Sequence, residues 1–193
     1  MSVKNQVTPY ADAEVSKKGQ VTRMFDKIAP YYDNLNRVLS LGIDVLWRKK
    51  AINLLKKENP KTILDIATGT ADLAIEAART IKPDHIIGMD ISVNMLKIGE
   101  EKINKKGLSD VIKLEAGDSE NLQYDSDSFD AVMAAFGVRN FENLEKGLAE
   151  MFRVLKPGGT MMVLEFSKPR HFPLKQGFNI YFKYILPVIG KVR

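Results

Sequence analysis

From Lys61 onward, short runs rich in β-branched and apolar residues alternate with stretches of helical hydrophobic period, and this alternation constrains the fold more than any other feature. A strand followed by a helix and then by a neighbouring strand is a βαβ unit, and a series of such units builds a parallel sheet covered by helices. Strands are expected at 62–67, 85–90, 111–115, 129–134 and 160–166. Between them, one helix carries Ala74, Ala77, Ala78 and Ile81, and a second opens on Ser92 as its N-cap. A third carries Leu144, Leu148, Met151, Phe152 and Leu155, and Lys156-Pro157-Gly158-Gly159 is expected to stop it.

Ahead of this region lie two helical stretches. One places Phe25, Ile28, Ala29 and Tyr32 on a stripe, and the other Trp47, Ala51, Leu54 and Leu55. Asn59-Pro60 ends them. Four parts are therefore expected: a mobile arm at 1–20 able to order over a ligand, a helical cap at 21–58, an α/β core at 59–167 and a basic aromatic segment at 168–193. Residues 1–58 carry 11 Lys/Arg against 6 Asp/Glu, the core 12 against 18, and residues 168–193 carry 6 against none, so an acidic core sits between basic flanks. Such flanks suit a nucleic acid or an anionic membrane surface. With 45% hydrophobic residues the chain is globular in composition, and with no cysteine it has no disulfides, thiolate metal sites or cysteine nucleophiles. A metal would depend on His85, His171 and carboxylates without ligand spacing, and none is expected. The first 20 residues lack the apolar stretch of a secretion signal, so a cytoplasmic location is expected.

Ligands of parallel sheets bind where strands end and helices begin. The first such turn holds Asp65, Gly69, Thr70 and Asp72. Only Gly69 fits a pyrophosphate-binding glycine pattern, and Asp65 and Asp72 would repel a dianion, so the turn is read as built for a cation. Asp90 ends the second strand, where a carboxylate accepts both hydroxyls of a ribose. Asp118 and Ser119 follow the third, where a carboxylate can take the N–H of an adenine amino group. A ribose, an adenine and a positively charged remainder together describe S-adenosylmethionine.

Residues 63–73 resemble the first motif of class I methyltransferases. Phe136-Gly137-Val138-Arg139-Asn140, the turn at 155–159, residues 165–169 and residues 25–33 resemble one branch of that fold, the quinone-biosynthesis C-methyltransferases, over residues 21–193. The resemblance implies a Rossmann-like sheet with helices on both faces, methylation of demethylmenaquinol or the ubiquinone-precursor benzoquinol, and cofactor contacts at Thr70, Asp90, Asp118 and Ser119. Three departures stand out. Ala71 replaces a usual glycine, Ala135 often replaces a hydroxyl residue, and the last two strands of the fold are expected to be missing, which would leave the fifth strand as an edge.

A hydroquinone attacks through carbon once its hydroxyl is ionised. Phenols of pKa near 10 are ionised about one part in a thousand at neutral pH, so about 4 kcal/mol of phenolate stabilisation is needed. Arg139 and Asn140, just past the fourth strand, are the candidates for it; Asp33 or a water would accept the proton, and Tyr32 would hold the ring or relay. The cap would then lie over the acceptor, and the polyprenyl quinol would be presented from an anionic membrane surface, with a homodimer as a further expectation. Two alternatives stay open: a methyltransferase for another small phenol or a nucleic acid, and a non-catalytic cofactor-binding module. Against a nucleic-acid substrate, the chain has Phe136-Gly137-Val138-Arg139 where such enzymes often carry an Asn/Asp-Pro-Pro-Tyr segment.

Overall fold

A computed structural model describes residues 8–10, 14–167 and 176. Three helices come first: α1 (Lys17–Ile28), α2 (Tyr32–Leu39) and α3 (Ile43–Leu55). The alternating region follows as β1 (Thr62–Ile66), α4 (Asp72–Thr80), β2 (His85–Asp90), α5 (Val93–Lys105), β3 (Ile112–Ala116), β4 (Phe129–Ala135), α6 (Leu144–Arg153) and β5 (Leu155–Leu164). All pairings are parallel, in the order β3-β2-β1-β4-β5.

This order makes β1 the central strand with β2 and β4 on either side, and an interior parallel strand is covered on both faces. The sequences of β1 and β4 comply: Ile63, Leu64, Ile66, Ala131, Val132 and Met133 are fully buried. One core layer joins Ile63 and Met133 to α3, α4 and α5 through Ile52, Ala74 and Ile103, and the other joins Leu64 and Val132 to α6 through Met151. The chain runs outward from β1 to β3 and then returns to the centre at β4. The connections that leave β1 and β4 therefore run to opposite sides of the sheet at this switch point, and a crevice opens beside it.

Local chemistry sets the helix starts. The Ser92 hydroxyl accepts the Met95 N–H as expected, and Asn143 caps α6 by accepting the Lys146 N–H at 3.0 Å. Several boundaries differ from the sequence reading. The helical stretch holding Phe25 and Tyr32 divides at Ala29–Tyr31 into α1 and α2. Residues 17–20, expected in a mobile arm, open α1 behind the cap Ser16, and Gln20 is buried. At the other end, Leu155 already pairs with Phe129, while Thr160 pairs with Ala131. Residues 156–159 thus bulge out of β5 opposite Asp130 rather than preceding the strand. Gly158 takes φ +79°, and a side chain on Gly159 would meet the Asp130 carbonyl at 2.8 Å, so both glycines serve the bulge. Among the described residues β5 pairs only with β4; residues 168–193, where the basic aromatic segment is expected, lie outside the described set apart from Gln176.

Candidate functional site

The turn between β1 and α4 carries three left-handed residues, Ala67, Gly69 and Ala71, at φ 53°, 59° and 63°. This backbone turns the Gly69 N–H onto Asp90 Oδ2 at 2.8 Å, while the Ser92 N–H donates to Oδ1 at 2.8 Å. Each oxygen of an ionised carboxylate accepts about two hydrogen bonds, so the Asp90 carboxylate keeps capacity for a diol. Burial raises its pKa against the pull of these amides. Ala71 occupies the left-handed position usually given to glycine, at a cost of about 1 kcal/mol. Its methyl group is fully buried in the core layer of α3, α4 and α5, which offsets part of that cost.

Past β3, Asp118 and Glu120 clasp Lys18 of α1, at 2.7 and 3.3 Å. Burial works against the Asp118 charge, but the hydrogen bond and charge of Lys18 and the Glu120 N–H prevail and lower its pKa. Glu120 Oε1 accepts the Glu142 and Asn143 amides. Lys17 donates its Nζ to the Phe141 carbonyl at 2.7 Å and the Arg139 carbonyl at 3.2 Å. The start of α1 is thereby fastened across the crevice to the segments that follow β3 and β4.

Past β4, Phe136 is left-handed at φ 59°, and a side chain on Gly137 would meet Ala67 Cβ at 2.5 Å, so the two central turns touch without room for another methyl. Phe136 stacks on Phe166 with ring centroids 4.5 Å apart, and Trp47 of α3 meets both rings edgewise or tilted. The Arg139 guanidinium lies 5.5 Å from the Phe166 centroid and pairs with the Glu165 carboxylate.

These turns line a cleft that opens to solvent. Of the residues singled out by sequence, it gathers Tyr32, Gly69, Asp90, Asp118, Ser119 and Asn140, and apolar walls come from Phe25, Met89, Ile91 and Phe141. Ala135 also faces it, so this position indeed lacks a hydroxyl at the cleft wall. Arg139 stands beside the cleft with its guanidinium half-exposed.

Four other expected residues lie outside the cleft lining, Asp65, Thr70 and Asp72 of the first turn and Asp33 of α2, which corrects the reading of that turn and of Asp33. Asp65 is buried beneath the turn; Oδ2 accepts the Thr68 hydroxyl at 2.6 Å, and Oδ1, beside the Ala74 amide but outside hydrogen-bond geometry, has no partner. Burial, reinforced by the Asp90 charge, pushes the Asp65 carboxyl up to about 7. Thr70 donates its hydroxyl to Asp33 at 2.5 Å, and Asp33 is held by Lys102 at 2.7 Å. Asp72, read as part of a cation-selective turn, is bound by Arg48 and Lys102. Neither Asp65 nor Asp72 offers an open negative charge to a ligand. Sequence reading missed Lys18, Glu120 and Lys102, and noted Glu165 only as the first residue of the 165–169 motif, without its pairing to Arg139. Lys18 left a signal of its own, because the stripe of Val21, Phe25 and Ile28 extends back one turn to residue 18.

Comparison with known proteins shows the family. The model of the ubiE/COQ5 methyltransferase family matches residues 13–193. The demethylmenaquinone methyltransferase of Bacteroides fragilis is 50% identical over 97% of this chain and 76% of its own length. The ubiquinone/menaquinone biosynthesis C-methyltransferase UbiE of Geotalea daltonii is 45% identical over 92% of this chain and 76% of its own. In fold, the chain superposes on a SAM-dependent methyltransferase from Thermotoga maritima with TM-score 0.59 and 22% identity, over 82% of this chain and 67% of the other. With its crevice at the switch point of a β3-β2-β1-β4-β5 sheet and a family match that runs nearly end to end, the chain belongs to the ubiE/COQ5 methyltransferase family.

Proposed function

We infer that this protein transfers a methyl group from S-adenosylmethionine to a ring carbon of a polyprenyl quinol, demethylmenaquinol or the ubiquinone-precursor benzoquinol. The observation that carries the reading is the Asp90 carboxylate, fixed by two backbone amides at the end of β2 with acceptor capacity left at the cleft. That suits a ribose diol, Asp118 and Ser119 stand at the next strand end for the adenine, and the apolar walls suit its faces. The donor set fits the cofactor, which when bound supplies an electrophilic sulfonium methyl.

The chain's own residues supply alignment and acceptor activation. Burial raises the Tyr32 pKa, so its hydroxyl stays protonated at neutral pH and can donate to an acceptor oxygen. Asn140 offers a second donor in the cleft, and the Arg139 guanidinium, beside it, stabilises the ionised acceptor once Glu165 shares or releases it. Asp33 is already committed to Lys102 and Thr70, so the proton leaves to water, and Asp33 acts by fastening α2 to the first turn. No helix among the described residues is long and apolar enough to cross a membrane. Reversible binding to an anionic membrane surface would bring a lipid-soluble acceptor within reach.

Incubating the purified chain with methyl-labelled S-adenosylmethionine and a reduced bacterial lipid extract tests the reading by mass spectrometry. A labelled quinone one methyl heavier than its precursor is expected. Asp90→Ala should weaken cofactor binding by about 1.5–3 kcal/mol per hydrogen bond lost. Label that stays out of the quinone fraction, or calorimetry giving Asp90→Ala the affinity of the parent chain, counts against it.

A further inference from the structure

A surface helix ordinarily turns its charged side chains to water and its apolar ones to the core. In α2 and α3 the order is partly reversed. The inward stripe of α3 holds Asp44 and Arg48, both buried and paired with each other, ahead of Ile52 and Leu55. Its outward face carries Ile43 and Leu46, the latter 64% exposed. In α2, Asp33 turns inward to Lys102 while Leu35 and Val38 face out, Val38 53% exposed. At the tip of the hairpin between the two helices stands Leu41, 76% exposed and in left-handed backbone at φ 52°. Few non-glycine residues adopt that conformation, and a leucine placed there presents its side chain outward in spite of both sterics and hydration.

The charge around this face is predominantly basic. Between residues 31 and 58 the exposed charged side chains are Arg37, Lys49, Lys50, Lys56, Lys57 and one acid, Glu58 just beyond the far end of α3, whereas Asp33 and Asp44 are tied inward. An apolar patch with a basic border matches the interfacial zone of an anionic bilayer, where acyl chains take the apolar groups and phosphates the cations. The face also leads to the site. Trp47, on the flank of α3 beside Leu46, packs against Phe136 and Phe166, next to Arg139.

We propose that the α2–α3 hairpin, with Leu35, Val38, Leu41, Ile43 and Leu46 inserted and Lys49 and Lys50 against the headgroups, is the surface by which this protein docks on anionic lipid membranes. The assignment of this face to acceptor delivery rests on the proposed use of a lipid-soluble quinol; the docking itself does not.

Trp47 is the single tryptophan of the chain, so its fluorescence reports directly on this region. The full chain is titrated with vesicles of phosphatidylcholine alone and of phosphatidylcholine mixed with phosphatidylglycerol, with brominated acyl chains as quenchers. Binding preferring the anionic vesicles, weakened by salt and accompanied by a blue shift and quenching of Trp47, is expected. The double substitution Leu41→Ser/Leu46→Ser should lower vesicle affinity at least about tenfold, and Lys49→Gln/Lys50→Gln should erase much of the preference for anionic lipid. Both variants should keep the parent far-UV dichroism and the parent turnover of a water-soluble short-chain quinol; if the double leucine variant loses its dichroism, Leu41→Ser alone serves.

Absence of vesicle binding, parental affinity in the folded leucine variants, or binding that leaves Trp47 unshifted and unquenched would overturn the proposal. So would a parent dimer that the leucine substitutions convert to monomer, since a second copy would then own the face. Vesicle binding without turnover of the soluble quinol would instead defeat the functional reading and leave the docking surface standing.

Discussion

Asp65 and Asp90 lie within two neighbouring strands, yet their oxygens meet opposite fates. Asp90 rests on two amides with capacity to spare, whereas Asp65 has one oxygen on Thr68 and one on nothing. A carboxyl raised to about 7 in the fold but near 3.9 when unfolded costs no stability below the unfolded pKa, where both states are protonated. As pH rises from 4 toward 7 the unfolded chain ionises and the folded one resists, so stability falls, and the loss levels off above the folded value of about 7. Asp65→Asn removes this dependence. Between pH 5 and pH 8 the variant should gain roughly 2 kcal/mol on the parent chain, measured by urea unfolding without cofactor; parallel pH profiles for the two proteins would assign Asp65 an ordinary pKa. Arg139 makes a different test. If it stabilises the acceptor phenolate, Arg139→Gln should lower kcat while calorimetry finds cofactor affinity within about twofold, and the rate should recover in part at high pH as the acceptor ionises unaided. A parallel fall in cofactor affinity would make Arg139 a structural residue held by Glu165.

Elements meet at the site through their turns. The Gly137 backbone approaches Ala67 so closely that an added Cβ would lie 2.5 Å from the Ala67 methyl, which holds the turns after β1 and β4 in contact. Gly137→Ala should therefore destabilise the chain by about 1–3 kcal/mol. Adding Ala67→Gly should restore most of that loss, because it removes the opposing methyl at a position whose φ of 53° favours glycine. Thermal or urea melts of the two single variants and the double complete the cycle; additive effects would place the collision elsewhere. The strands and helices around these turns were legible in sequence because period and caps are local properties: Ser92 binds an amide three residues on, and β2 spans the expected 85–90. Residues 156–159 were read as a turn because a glycine-rich turn and a glycine-rich bulge look alike until the partner strand supplies the register.

Over the whole molecule, the cleft was legible only where its residues end strands. Gly69, Asp90, Asp118 and Ser119 line it because the chain direction of a parallel sheet puts successive strand ends on one edge. Ion pairs were not legible, since Lys102 with Asp33 and Arg139 with Glu165 join positions far apart in the chain. Asp33 and Asp72, read as open carboxylates, turned out to be the counterions of lysine and arginine contributed by α5 and α3. The same network turns Asp33, Asp44 and Arg48 inward while Leu35, Leu41 and Leu46 stay exposed. The central claim, that this cleft directs a methyl group to carbon, is tested most directly by supplying S-adenosylmethionine with a carbon-13 methyl and a reduced, water-soluble demethylnaphthoquinol to the purified chain. Magnetic resonance of the product should find the label as a methyl on the quinone ring carbon; a label found as a methoxy group, or only in unreacted cofactor, would contradict the account.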